Sequence, residues 1–472
     1  MFKNLIATLM FTSLVFGGGR ESQMAKEIKR MKFNPLKWEV PEVGKEINKT
    51  VLPSGTIVYS KENSTLPIIE VTIFIKAGAA YLPEGYGLVP ELLLRNMLRG
   101  GTKSFSPEEL IDSIEYNAIQ IRHRSENEYC SITFTFDKKA RDLVEKLIYE
   151  ILFAPRIDES VLNLEKARLM DDWRRTLDDP DEVLNTLTTM ILYRGTPLEI
   201  APDTLRLINI TRTELLEIHK KFFQPKNMSV SIVGDFDIDW LEKFSRSTFN
   251  EDLNDSTVLV IPKSLPVEGK KVYFCQRPIE QGYVMLVQDA PNGYFDDVFK
   301  LFILSDILGG GFNSKIVSKV RNELGLAYET YAYFNILSNI KGGFYSFTAT
   351  RSDAVNTSIY HILDAINQMV RGEITEEELK FSKDSFLNST ITSIRSDWVF
   401  VQRLALRNLF GFPDDYFLRM QRSINEIKLE DIKEASRIYL KPDEISLIVV
   451  GDSTKLNLSE LEKYGEVIRV DF

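Results

Sequence analysis

The sequence predicts an α+β fold made of two homologous domains, each a mainly antiparallel sheet packed with helices. Three observations carry this expectation. At 472 residues the chain exceeds what one hydrophobic core holds, which calls for at least two domains. Two segments recur at nearly one spacing: residues 222–235 match 439–452 with Gly234 on Gly451, an offset of 217, and residues 92–101 match 302–311, an offset of 210. Strand-like and helical stretches also follow one another without the strict alternation of a doubly wound sheet. The resulting division is a signal peptide over 1–19, an arm over 20–49, a first domain over 50–249, a linker over 250–265 and a second domain over 266–472.

The elements follow in order. Lys3, an apolar run over 5–16 and the small residues Gly17 to Gly19 read as a cleavable export signal, so an exported, periplasmic protein is expected. The run is too short to span a bilayer, and no stable membrane insertion is expected; an uncleaved interfacial anchor is the competing reading. The arm that follows is charged and contains Pro35 and Pro41. A turn at Pro53-Ser54-Gly55 opens a first strand, and apolar alternation over 68–79 predicts a longer one. A helix over 88–98 closes at Gly100-Gly101, and a second covers 107–115. Two strands, over 118–123 and 129–136, precede helices over 138–152 and 158–177. The last of these halts before Pro180, because proline disfavours helix in the preceding residue. Helices continue to residue 223, and a strand over 228–235 closes the first unit.

Composition excludes several function classes. A hydrophobic content of 44%, a charged content of 27% and a net charge of -10 are ordinary for a globular chain. They offer no electrostatic reason to bind nucleic acid or an anionic membrane. Cys130 and Cys275 lie in strand-like alternations of different domains, so two free buried thiols are expected instead of a disulfide framework.

The most informative stretch lies between residues 306 and 328. An apolar helix runs into Gly309, Gly310 and Gly311, a second helix begins near Asn313, and Gly325 ends it before a strand that carries Tyr328. Arg321 therefore falls in the last turn of a helix and Tyr328 at the start of a strand that doubles back. Seven positions apart across a tight reversal, a guanidinium and a phenol can point into one cleft, where they would suit the negative charge developing on a peptide carbonyl under attack. Taken without its surroundings, the pair reads as a helix-end arginine complementing the dipole and a core tyrosine.

The whole string resembles the second domain of the pitrilysin/insulinase family of inverted-zincin metallopeptidases, in the branch that includes the mitochondrial processing peptidases and the core proteins of the respiratory bc1 complex. The resemblance covers residues Leu52 to Asp452. In that family an arginine and a tyrosine at this spacing reach from the C-terminal half toward the scissile bond. Active members also carry a His-x-x-Glu-His helix whose two histidines bind zinc and whose glutamate polarises the attacking water. Counting back from Gly101-Thr102 puts Leu92, Arg95 and Asn96 at those positions; counting forward from Gly87 puts Pro90, Leu93 and Leu94 there. Neither frame supplies a ligand.

The chain has three histidines, His123, His219 and His361, none with another histidine or a cysteine at chelating spacing. Each reads as a lone structural or surface residue. Asp171 and Asp172 occupy the segment that resembles the third-ligand helix and read as a solvated or salt-bridged face. No metal and no cofactor are expected in this chain; zinc is expected in a partner.

The resemblance thus implies a non-catalytic subunit of a heterodimeric zinc metallopeptidase. Arg321 would hold the substrate backbone, Tyr328 would donate to the oxyanion, and Gly309, Gly310 and Gly311 would let substrate pass close to the main chain. The expected partners are a zinc-bearing His-x-x-Glu-His homologue and an unfolded peptide. The alternative is a peptide-binding or scaffolding protein without catalysis, like the bc1 core proteins. An independent hydrolase is disfavoured, because no Ser/His/Asp or Cys/His arrangement is evident.

Overall fold

A computed structural model describes residues 38–199, 204–249, 260–293, 296–336 and 339–471. The expected signal peptide, most of the arm and much of the linker lie outside these residues. From residue 40 onward the described residues gather into one compact unit.

Two six-stranded sheets organise this unit. The first contains β1 (Asn48–Val51), β2 (Ile57–Glu62), β3 (Ile68–Ile75), β4 (Gln120–Ser125), β5 (Cys130–Asp137) and β6 (Met228–Gly234), in the order β1-β2-β6-β3-β5-β4. The second contains β7 (Lys271–Gln276), β8 (Gln281–Ala290), β9 (Ala327–Asn335), β10 (Gly342–Arg351), β11 (Ser446–Gly451) and β12 (Glu466–Arg469), in the order β12-β7-β11-β8-β10-β9. Apart from the outermost strand next to β2 or β7, the two orders are the same. In each sheet the closing strand runs parallel to the first long one, Glu62 opposite Gly234 and Gln276 opposite Gly451. Most remaining neighbours are antiparallel. The fold is α+β, as expected.

Local chemistry accounts for the helix boundaries. Pro107 occupies the first turn of the helix Pro107–Tyr116, and Ser106 and Glu109 close a capping box around its free N–H groups. The helix break expected before Pro180 is both a stop and a start. One helix ends at Thr176, and in the next, Pro180–Leu192, Asp179 Oδ1 accepts from Asp181 N at 3.0 Å. Both cysteines are buried and unpaired, and burial pushes the Cys130 thiol up to about 12.

The helices do not stay with their own halves. Pro180–Leu192 packs on β8 and β11 of the second sheet, while Asp397–Leu409 packs on β2, β3 and β6 of the first. The two helices begin 217 residues apart, 397 minus 180, which is the spacing of Gly234 and Gly451. Val183, Leu184 and Leu187 enter a core with Met285, Val287, Ile448 and Val450. In the opposite direction Phe400, Val401, Leu404 and Ala405 are buried on the first sheet. Each half therefore covers its partner's sheet with an equivalent helix.

Polar bonds fix this crossing. Gln402 Nε2 donates to Glu70 Oε1 at 2.8 Å and to Thr72 Oγ1 at 3.0 Å, and Lys61 pairs with Asp397 at 2.6 Å. Lys49 pairs with Asp414 at 2.8 Å, and the Tyr59 hydroxyl donates to the same carboxylate.

Candidate functional site

Three local irregularities converge on Arg321 and Tyr328. The helix Val298–Ser305 widens into a π-helical segment, Asp306–Gly310, and a second π-helical segment, Val317–Glu323, carries Arg321. Single π turns inside helices are frequent at functional sites, because they alter where side chains point. Gly325 adopts a φ of +59°, as a left-handed helix terminator must, and its N–H donates to Arg321 O at 3.2 Å. Strand β9 then starts at Ala327.

Tyr328 sits at a break in the ladder. Ala349 pairs with Glu329 and Thr350 with Ala327, which leaves Tyr328 as the extra residue of a bulge on the edge strand β9. A bulge re-aims the side chain it carries. Here Tyr328 is 85% exposed, and its ring centroid lies 5.0 Å from the Arg321 guanidinium carbon. The same guanidinium carbon lies 5.1 Å from the ring centroid of Phe312, itself 69% exposed. Asn322 Nδ2 donates to Phe312 O at 2.9 Å and Ser314 Oγ to Gly311 O at 2.6 Å, so the turn holding Phe312 is tied down.

The result is a cluster of one guanidinium and two aromatic rings. Each cation–π contact at such an exposed place contributes about 0.5–1 kcal/mol, enough to hold the guanidinium plane without occupying its N–H edge. Among the described residues no carboxylate pairs with Arg321, and no hydrogen bond engages the Tyr328 hydroxyl. The edge and the hydroxyl remain available as donors. Phe312 was not singled out by the sequence reading; the only signal for it was an aromatic residue directly after the glycine run.

The glycines divide. A Cβ at Gly309 would come within 2.1 Å of Ala332 N on β9, so this position is taken up by helix-to-strand packing. At Gly310 a Cβ would meet Asp306 Oδ1 at 3.1 Å, and at Gly311 it would meet nothing. Gly310 is exposed and Gly311 partly so, and only these two leave open main chain beside the cluster.

Where the family's zinc helix would lie, the helix Val89–Arg99 packs against Glu159–Thr176. Leu92 and Asn96 are fully buried, and Asn96 Nδ2 donates to Leu92 O at 2.9 Å. Arg95 reaches Glu91 at 2.7 Å and Asp172 at 2.8 Å, bridging the two helices. Burial works against its charge, but Glu91 and Asp172 prevail and hold the guanidinium above its ordinary pKa. Burial likewise opposes the Glu91 carboxylate, and His123 and Arg95 outweigh it, so its pKa lies below the usual range. In the other counting frame Pro90, Leu93 and Leu94 are all buried.

These residues do not fit a zinc ion: a guanidinium stands among the carboxylates and no imidazole pair faces it. Among the described residues, no three His, Cys, Asp or Glu side chains could share a metal. His123 meets Glu91 at 3.2 Å on β4. His219 is buried, stacked on Phe223 at 5.0 Å, with Leu152 O 2.8 Å from Nε2. His361 lies beside the Tyr360 ring at 5.2 Å. Asp171 pairs with Arg175 at 2.6 Å and Asp172 with Arg95, the salt-bridged face expected of them. Glu165, which the sequence reading passed over, is the hub beneath: fully buried, it takes Arg99 at 2.9 Å and Arg168 at 2.7 Å.

Residues 209–386 match the family model described as peptidase M16 inactive domain. That match spans less than half of the chain, and over it the chain is similar to the inactive domain of the M16 peptidases. It is 22% identical over 421 residues to the "non-peptidase homolog YmxG" of Helicobacter pylori, covering 87% of this chain and 94% of that one. It is 21% identical over 416 residues to the "uncharacterized zinc protease YmxG" of Bacillus subtilis, covering 86% and 98%. The M16 fold appears in the crystal structure of a peptidase M16 inactive domain from Pseudomonas fluorescens, with a TM-score of 0.78 at 19% identity, over 86% of this chain and 98% of that one. A protease structure from Helicobacter pylori gives a TM-score of 0.76 at 19% identity, over 86% and 99%.

Proposed function

We propose that this M16 homologue is the non-catalytic subunit of an exported two-chain zinc metallopeptidase. It would lend Arg321 and Tyr328 to a peptide bound at the zinc site of a His-x-x-Glu-His homologue. The observation that carries the reading is the asymmetry between the two halves. In the first half Arg95 is tied up between Glu91 and Asp172, while in the second Tyr328 is exposed, Arg321 is half-buried beside it, and among the described residues their donors are unengaged. In this reading the guanidinium edge holds the peptide backbone and the Tyr328 hydroxyl donates to the tetrahedral oxyanion. Removing one such donor lowers turnover about 100- to 1,000-fold.

The second reading is a peptide-binding scaffold without catalysis. It is favoured by the contact of Arg321 with two of the protein's own rings, which a purely structural cluster would also show. Reconstitution separates the two. The purified chain alone should bind no stoichiometric zinc and cleave no peptide, and mixing it with a zinc-bearing homologue should produce chelator-sensitive cleavage. Arg321→Ala and Tyr328→Phe should each depress that cleavage while leaving assembly intact by gel filtration. Full turnover in both variants would remove the catalytic role and leave the scaffold.

A further inference from the structure

The crossed-over helix Asp397–Leu409 brings a second pair of arginines to a cavity that the Arg321 cluster does not use. Arg403, Leu406 and Arg407 share one face of the helix, at i, i+3 and i+4, and line a cavity of about 420 Å³ beside Tyr129, Phe410 and Phe412. A neighbouring cavity of about 690 Å³ shares Tyr129, Arg403 and Leu406 and extends along β4 and β5, so the two form one trough. Arg407 is stacked 3.8 Å from the Tyr416 ring and 5.2 Å from that of Phe417, and its Nε is shut off from solvent with no acceptor.

Among the described residues neither guanidinium has a carboxylate partner. Arg403 Nη1 donates to Ser393 Oγ at 2.8 Å, a neutral group. The acidic residues that also line the cavity are engaged elsewhere: Glu126 lies 3.9 Å from Arg124, and Glu128 Oε1 accepts from Asn339 N at 2.6 Å. Burial works against the charge of both guanidinium groups; the neighbouring Arg407 adds to that effect on Arg403, while a hydrogen bond with the Tyr416 hydroxyl, a neutral group, partly offsets it at Arg407. Arginines in such places are ordinarily matched by an anion, and the planar guanidinium matches a carboxylate through paired N–H···O bonds.

We propose that Arg403 and Arg407 form a carboxylate-binding subsite, with Tyr129, Phe410 and Phe412 receiving the apolar part of the residue that bears the carboxylate. The assignment rests on the peptide-binding reading above and names the group on the peptide that this trough would hold. The carboxylate has two sources, the free C-terminus of a peptide or an acidic side chain.

The test uses the full-length protein and a fluorescein-labelled unstructured heptapeptide ending in phenylalanine, followed by fluorescence anisotropy. Three forms are compared: the free acid, the C-terminal amide, and an amide carrying one internal glutamate. The free acid should bind about tenfold or more tightly than the plain amide, since a hydrogen bond to a charged group is worth at least that factor. Recovery of the advantage by the glutamate-bearing amide identifies a side-chain carboxylate as an acceptable source. Arg403→Gln should reduce the advantage to less than twofold. Arg407→Gln should do the same, with circular dichroism checking that loss of its aromatic stack has not unfolded the protein; Arg403→Gln decides the matter if it has. Equal binding of acid and amide, or an advantage that survives Arg403→Gln, overturns the subsite and leaves peptide binding standing. Failure of all three peptides to bind overturns the peptide reading and the subsite with it.

Discussion

Gly309 and Gly311 stand two residues apart and answer to different neighbours. A methyl group at Gly309 would run into the main chain of Ala332, whereas at Gly311, with an extended φ of -159°, it would enter open space. Gly309→Ala should therefore destabilise the protein by about 1–3 kcal/mol, the usual cost of overpacking. Gly311→Ala should stay within about 0.5 kcal/mol. Urea denaturation of both variants checks this contrast. His219 gives a prediction about pH. Burial lowers its pKa to about 4, while an unfolded chain titrates near 6.5, so between those values the unfolded state binds a proton that the folded state does not. Stability should be full above about pH 6.5 and decline by roughly 3 kcal/mol as pH falls toward 4. His219→Gln, which keeps a donor for Leu152 O, should remove most of that slope in denaturation midpoints measured from pH 7 to 4. At this scale the sequence was legible for Arg321 and Tyr328, because a glycine helix stop and a strand onset are local signals. It was silent on Phe312 and Glu165, whose importance lies in what they touch and not in their type.

Among the elements, the two crossing helices decide how the halves depend on each other. Leu187 is 2% exposed on a helix of the first half, yet its neighbours are strands of the second. Leu187→Ala should cost about 2–5 kcal/mol, and hydrogen exchange should show the lost protection in β8 and β11 before it appears in β2 and β3. Uniform loss across both sheets would contradict this assignment of the helix. Nothing in the periodicity of residues 180–192 says which sheet they cover, since an apolar stripe fits either. The repeat offset of 217 was read from residues 222–235 and 439–452 alone; that the helices at 180 and 397 share it emerges from the structure. The bulge at Tyr328 was equally hidden: it arises from the register of β9 against β10, which two strands settle together.

For the whole molecule, reciprocal coverage predicts shared stability. Because each sheet is closed by a helix from the other half, and Lys61–Asp397, Lys49–Asp414 and the Gln402 bonds tie the same crossing, the compact unit should unfold in a single cooperative step. Calorimetry should show one endotherm; two well-separated ones would mean that the halves are energetically independent. By itself the sequence determined the α+β class, much of the order of strands and helices, the absence of a His-x-x-Glu-His string, and the turn that brings Arg321 near Tyr328. These follow from residue type and from periodicities read over ten or fifteen neighbours. Only the tertiary structure decided that the helices cross, that Arg95 bridges two helices by reaching Asp172, and that Arg403 and Arg407 share a cavity without a carboxylate partner among the described residues. Those facts depend on contacts between residues that are far apart in sequence, and no local pattern encodes them.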